Sequence, residues 1–194
     1  MISKMTLPEY KHDQLHETIR CQRNWDWDNQ VTPEHLAIID EYVAKPPQQQ
    51  GQQTFTVVRI HNDMEKISYL HDRLYSPQSQ VLAPLVYIWF PHHPETGHID
   101  KQKCSYQLGL HAGIISKLAN SLGYATGFCG CGPDVSRWHE VQTKFSLFGE
   151  AEYQYPQFIL SIGHGKPNTE YNVDQNHDFV HKYYEYNWPI VRDL

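Results

Sequence analysis

Residues 103–133 read KCSYQLGLHAGIISKLANSLGYATGFCGCGP. Leu108, Ala112, Ile115, Ala119 and Leu122 fall on one face at helical spacing. The stretch therefore predicts a long helix from Lys103 to Leu122. Gly123 ends it, because glycine takes the left-handed backbone of the position after a helix without steric cost. Gly109 and Gly113 lie i, i+4 inside the helix, where each costs about 1 kcal/mol relative to alanine. Two explanations fit such a cost: close approach of another backbone or a flat ligand, or eased helix–helix packing. Tyr124 to Pro133 then reads as a strand opening into a Gly-rich loop. Asp134 is a candidate N-cap for a helix over Val135 to Lys144.

Working outward, Thr32 is an N-cap, Pro33 takes the first helical position and Glu34 the first turn. Leu36, Ile39, Tyr42 and Val43 follow at helical spacing, and Pro46-Pro47 ends the helix. An earlier helix is expected near Gln14 to Arg23, and a short one over Ile67 to Leu74. Thr54 to Ile60 and Phe158 to Gly163 have strand character, and Val81 to Phe90 reads as a buried central strand. Helices and strands alternate without regular βαβ spacing. The class expected is α+β, with a mixed or antiparallel sheet flanked by helices.

The chain has 194 residues and a formal net charge of −6. At about 150 residues per domain, one domain over 1–194 is expected. The aromatic fraction of 13% argues against disorder. The acidic balance argues against a general nucleic-acid or anionic-membrane binder. The longest apolar run, Val81 to Phe90, is far short of the roughly 20 residues that span a bilayer. Met1 to Tyr10 lacks the apolar core of a signal peptide, so a cytoplasmic setting is expected.

The four cysteines, Cys21, Cys104, Cys129 and Cys131, are too sparse for a disulfide scaffold and read as reduced thiols. Cys129-Gly130-Cys131 has no partner motif at zinc-site spacing, and the 13 histidines show no ligand pattern, so no metal is expected. No nucleophile elbow, P-loop or dinucleotide fingerprint survives its context, and Gly127-x-x-Gly130-x-Gly132 has the wrong order for the last. An enzyme lacking an evident nucleophile, acid–base pair or metal often relies on an organic cofactor.

The order of segments resembles the FMN-dependent nitroreductase family over residues 15–165. That family opens with Arg-Arg-Ser-x-Arg before a Val-Pro-Glu helix start. Here Arg20-Cys21-Gln22-Arg23-Asn24 precedes Val31-Thr32-Pro33-Glu34. Its next motif, Ala-Pro-Ser-x-x-Asn-x-Gln-Pro-Trp, is matched in frame by Lys45 to Thr54. Pro46 and Gln52 are kept, Pro47 replaces the Ser and Gln50 the Asn. The family's Asp-x-Gly and closing Ala-x-x-Leu-Gly are matched by Gln107-Leu108-Gly109 and by Ala119 to Gly123. Departures from the pattern are Cys21, Gln22 and Asn24 in the first motif and Pro47 and Gln50 in the second.

The resemblance implies a nitroreductase-like α+β fold, with a mostly antiparallel sheet flanked by helices and a long helix at a homodimer interface. Residues 166–194 would wrap the partner subunit. It implies FMN as cofactor and ping-pong hydride transfer from NAD(P)H to a small-molecule acceptor such as a nitroaromatic or quinone, with no protein acid–base residue required. Arg20 and Arg23, beside Asn24, would hold the phosphate, since a guanidinium grips two oxygens at once. Lys182 or Lys166 would supply the C-terminal cation. Gln22, Gln48 and Gln50, next to Pro46 and Pro47, would present amides to the ribityl hydroxyls and the pyrimidine edge. Phe128, Cys129, Gly130 and Cys131 would lie over the ring, with Gly130 permitting close backbone approach. A flavin-sequestering protein, or a relative in fold only, is the alternative.

Overall fold

A computed structural model describes residues 21–46, 55–74, 79–91, 98–130, 140–141, 144 and 158–166. Its elements are β1 (Trp25–Asp26), α1 (Pro33–Val43), β2 (Phe55–His61), α2 (Met64–His71), a 3-10 turn (Ser79–Val81), β3 (Leu85–Pro91), α3 (His98–Ser121), β4 (Ala125–Cys129) and β5 (Phe158–Gly165). The strands form one sheet, every described pairing of which is antiparallel. β2 pairs with β3, β3 with β5, and β4 with the other side of β5, while β1 joins the C-terminal end of β5. The class is α+β, as the sequence predicts.

The helix ends follow local chemistry. Thr32 caps α1, its hydroxyl accepting from the His35 N–H at 3.3 Å. Asp63 caps α2 by accepting from the Lys66 N–H at 3.0 Å. Gly123, at φ +89°, closes the turn after α3. Ile67 to Leu74 is corrected to Met64–His71, because the side chain of Asp63 sets the start. The strand expected from Val81 begins at Leu85, and Val81 closes the 3-10 turn instead. The helix expected up to Arg23 is corrected too: Cys21 to Asn24 is irregular and feeds β1. The rest of that helix lies outside the described residues. Glu140, Val141 and Lys144, the described part of the helix expected over Val135 to Lys144, are helical.

β3 is buried on both faces. Leu85, Tyr87 and Trp89 join Leu160 and Ile162 of β5 under α1 and α3, with Ile39, Leu108, Ala112, Ile115 and Ala119. Val86, Ile88 and Phe90 join Ile159, Ile67, Leu70 and Leu74 under α2. Each of the Leu, Ile, Val and Phe side chains among them contributes roughly 1.5–3 kcal/mol of burial. Tyr42, placed with the apolar face of α1 by its spacing, is 50% exposed. Among the described residues no helix is long and apolar enough to cross a membrane.

One polar cluster fastens α1 to the sheet. The Tyr87 hydroxyl donates to Asp40 Oδ1 at 2.7 Å, and Arg59 pairs with Oδ2 of the same carboxylate. Burial, and then Asp40, push the Tyr87 phenol far above its ordinary pKa, so it stays a donor. His61 is held below its ordinary value by burial and then by the Arg59 charge. Asp40→Ala leaves the buried Tyr87 hydroxyl without this acceptor and is expected to cost about 1–3 kcal/mol. Tyr87→Phe, which removes the donor, is expected to cost less. Urea unfolding of the two variants at constant m-value checks the order.

Candidate functional site

β4 pairs with β5 on one side, so its other side must be covered by something else. Residues 21–22 cover it. The Gln22 N–H donates to the Thr126 carbonyl at 2.9 Å. The Phe128 N–H donates to Cys21 Sγ at 3.4 Å, and the thiol lies 3.8 Å from the Phe128 carbonyl. Gln80 Nε2, from the 3-10 turn, donates to that same carbonyl at 3.2 Å. A thiol thus occupies both backbone groups of one β4 residue, in place of a neighbouring strand.

This cover depends on glycine. A Cβ on Gly127 would stand 2.8 Å from the Gln22 carbonyl oxygen, 2.9 Å from Gln80 Cβ and 3.1 Å from Trp25. On Gly163 it would stand 2.8 Å from the Pro84 ring and 3.3 Å from Trp25. On Gly165 it would meet the Gln22 amide at 2.6 Å. Trp25 is buried in this notch, its indole N–H donating to the Ser79 carbonyl at 3.2 Å.

The same segment meets the end of β5. Gln22 Nε2 donates to the carbonyls of Asn24 and, at 3.1 Å, Lys166. The Lys166 N–H donates to Asn24 at 2.9 Å, and its ammonium lies 3.5 Å from Asp26. The fold therefore brings Cys21 and Gln22 beside Thr126, Gly127 and Phe128, although about a hundred residues separate them, and holds Asn24 at Lys166, past the end of β4 opposite Gly130. Phe128 is half-buried, with its ring 5.4 Å from that of Phe158. Gly130 is exposed, and a Cβ there would meet nothing within 4 Å. Cys129 is buried on the α2 side of the sheet. Pro46 follows the C-terminal turn of α1. Arg20, Pro47, Gln48, Gln50, Cys131 and Lys182 lie outside the described residues.

Two of the residues that shape this region are not among the site residues the sequence points to. Cys21 stands inside the quoted motif, but its hydrogen bonds reach a strand 107 residues away. Gln80 carries no local signal at all. It is 7% exposed, and its Oε1 has no hydrogen-bond partner. Among the described residues no cluster of three or more His, Cys, Asp or Glu could hold a metal ion.

The same architecture recurs in solved structures. NfrA2 of B. megaterium superposes with a TM-score of 0.63 over 80% of this chain and 68% of that one, at 22% identity. A nitroreductase with bound FMN from Bacteroides fragilis gives 0.60 over 94% and 92%, at 14% identity. The chain has the nitroreductase fold. The NfrA1 nitroreductase of B. subtilis agrees, at 0.62 over 88% and 80% with 18% identity. No protein-family model matches the chain, and no curated protein matches it.

On this nitroreductase-fold scaffold Gly127 and Gly130 separate experimentally. Gly127→Ala forces the Gln22 backbone away and is expected to cost roughly 1–3 kcal/mol, as overpacking does. Gly130→Ala has room and is expected to leave the thermal midpoint nearly unchanged. Thermal unfolding of the two variants side by side checks the contrast.

Proposed function

We propose that this protein is an FMN-dependent oxidoreductase that uses NAD(P)H to reduce nitroaromatic, quinone or similar acceptors. The observation that carries the reading is the packing of Cys21 and Gln22 of the first motif along β4, on a fold shared with a nitroreductase solved with bound FMN. The residues present fit such a group. Gly130 leaves space for close approach to the backbone, Phe128 offers half-buried aromatic surface, and Lys166 sets a cationic side chain beside the Asn24–Asp26 end of the first motif.

Bound FMN would supply the hydride chemistry that no protein side chain here can perform. The chain's own part is to hold and orient. Arg20 and Arg23, with Lys166 or Lys182, neutralise a phosphate. Pro46, Pro47, Gln48 and Gln50 line the polar edge, and the end of β4 faces the ring. Gln22 supports the site by position, since its amide nitrogen ties Asn24 to Lys166. Cys129, directly before Gly130, is buried in the core.

The functional unit in this reading is a homodimer. Tyr106, Leu110 and Ile114 of α3 are 73%, 46% and 40% exposed, and the faces of Gly109 and Gly113 between them are open. An apolar stripe with glycines on the outer side of a helix is suited to close packing against a second copy. Among the described residues nothing stands within 4 Å of a Cβ on either glycine, which leaves room there for a second copy to pack closely.

Purifying the full chain, denaturing it and identifying the released cofactor tests the cofactor assignment. FMN is expected, and a colourless preparation that cannot be loaded with FMN overturns it. NAD(P)H consumption with a nitroaromatic or quinone then separates turnover from flavin storage. Arg20→Ala is expected to lose flavin with unchanged circular dichroism, and full flavin occupancy in that variant would overturn the phosphate role. Gly113→Glu fits the isolated subunit and is expected to shift the sedimentation coefficient from dimer to monomer.

A further inference from the structure

His111 lies near the middle of α3 and is 1% exposed. The Trp89 indole N–H donates to its Nδ1 at 3.1 Å. With Nδ1 accepting, a neutral ring carries its proton on Nε2, which then donates to the Tyr42 carbonyl at 3.2 Å. The ring stacks on Phe55, the first residue of β2, with centroids 5.2 Å apart and planes 25° apart. One imidazole therefore joins α3 to the last turn of α1, to the start of β2 and to β3. Tyr42 has its side chain in solvent because its carbonyl, not its ring, makes the contact with the core.

We propose that His111 is an acid-sensitive clamp that holds the C-terminal turn of α1 to the sheet while neutral and releases it on gaining a proton. A proton on Nδ1 would face the indole N–H, setting two donors against each other with no acceptor between them. It would also place a charge among Phe55, Trp89 and the α3 core. Burial holds the ring below its ordinary pKa, opposed by the Tyr42 carbonyl.

The charged groups on the elements around it are engaged with one another. On α1 and its final turn Asp40 is shared by Arg59 of β2 and Tyr87 of β3, and Glu41 pairs with Lys45. Among the described side chains the remaining ionisable groups there are Glu34 and His35 at the start of α1, the exposed Tyr42 phenol, His61 at the far end of β2, and Cys104, Tyr106 and Lys117 on α3 itself. None of them opposes a positive charge on the ring or offers Nδ1–H an acceptor in place of the indole.

The sign follows from the lowered pKa. As pH falls through 6.5 the unfolded chain takes up a proton that the folded ring refuses, so stability is lost toward acid. His61 adds in the same direction, so a local measurement is needed to isolate the clamp.

The test is amide hydrogen exchange at Ala44 and Lys45, which bond to the carbonyls of Asp40 and Tyr42. Rates are corrected for intrinsic chemistry and compared between about pH 7.5 and about pH 5.5. In the full wild-type chain protection is expected to fall about tenfold, the equivalent of one pKa unit. His111→Gln offers an acceptor and a donor that do not titrate, and its protection is expected to be the same at both values. Equal protection at both values in the wild type, or an equal fall in the Gln variant, overturns the clamp. A wild-type measurement stands independently of that variant. The Trp89 indole N–H resonance is expected to move as His111 titrates, and an indole signal indifferent to that titration also overturns it. Neither readout depends on flavin, so the clamp and the cofactor reading fail separately.

Discussion

Everything in this molecule hangs on a strand, β3, that has no solvent side. Its odd-numbered residues feed the layer under α1 and α3, and its even-numbered residues feed the layer under α2. Removing either layer would expose half of a continuous apolar run, so the two layers are obligatory and the sheet between them is fixed in register. β5 repeats the pattern, with Leu160 and Ile162 on one face and Ile159 on the other. The Tyr87 hydroxyl, the Trp89 indole and His111 each meet a named partner, since leaving any of them unpaired would cost more than the bond itself contributes.

A sheet fixed at its centre leaves its margins to be closed. β4 is closed by residues far from it in sequence, through a thiol, a main-chain N–H and the Gln80 amide. The closure is possible because Gly127 lets the Gln22 carbonyl approach where any side chain would collide. The consequence for function is positional. The segment carrying the basic and amide residues of the first motif is held against the strand whose end opens at Gly130. Cys21 stands where the nitroreductase pattern has arginine. Here that position serves the sheet edge rather than carrying charge.

Much of the fold was legible in local pattern. Thr32-Pro33-Glu34 marks a helix start because capping chemistry is local. The 108, 112, 115, 119 spacing names the buried face of α3 because helical geometry is periodic. The misreadings have one cause. Ile67 to Leu74 was shifted because the cap of Asp63 outweighs the apolar run that follows. Val81 dropped out of β3, and Cys21 to Arg23 out of a helix, because tertiary partners claimed them. The site is legible only as a set of motifs, since nothing in the spacing of Cys21 and Phe128 says that they meet.

The order of helices and strands, the double burial of β3 and the glycine stop after α3 were thus determined by the sequence alone, through periodicity, capping and backbone sterics that act within a few residues. The pairing of Cys21 with Phe128, the insertion of Gln80 beneath β4, the seat of His111 between Trp89 and Tyr42 and the open side of α3 were decided only by the tertiary structure. Each depends on which distant surface reaches a given hydrogen-bonding group first, and that is a property of the assembled layers rather than of any one segment.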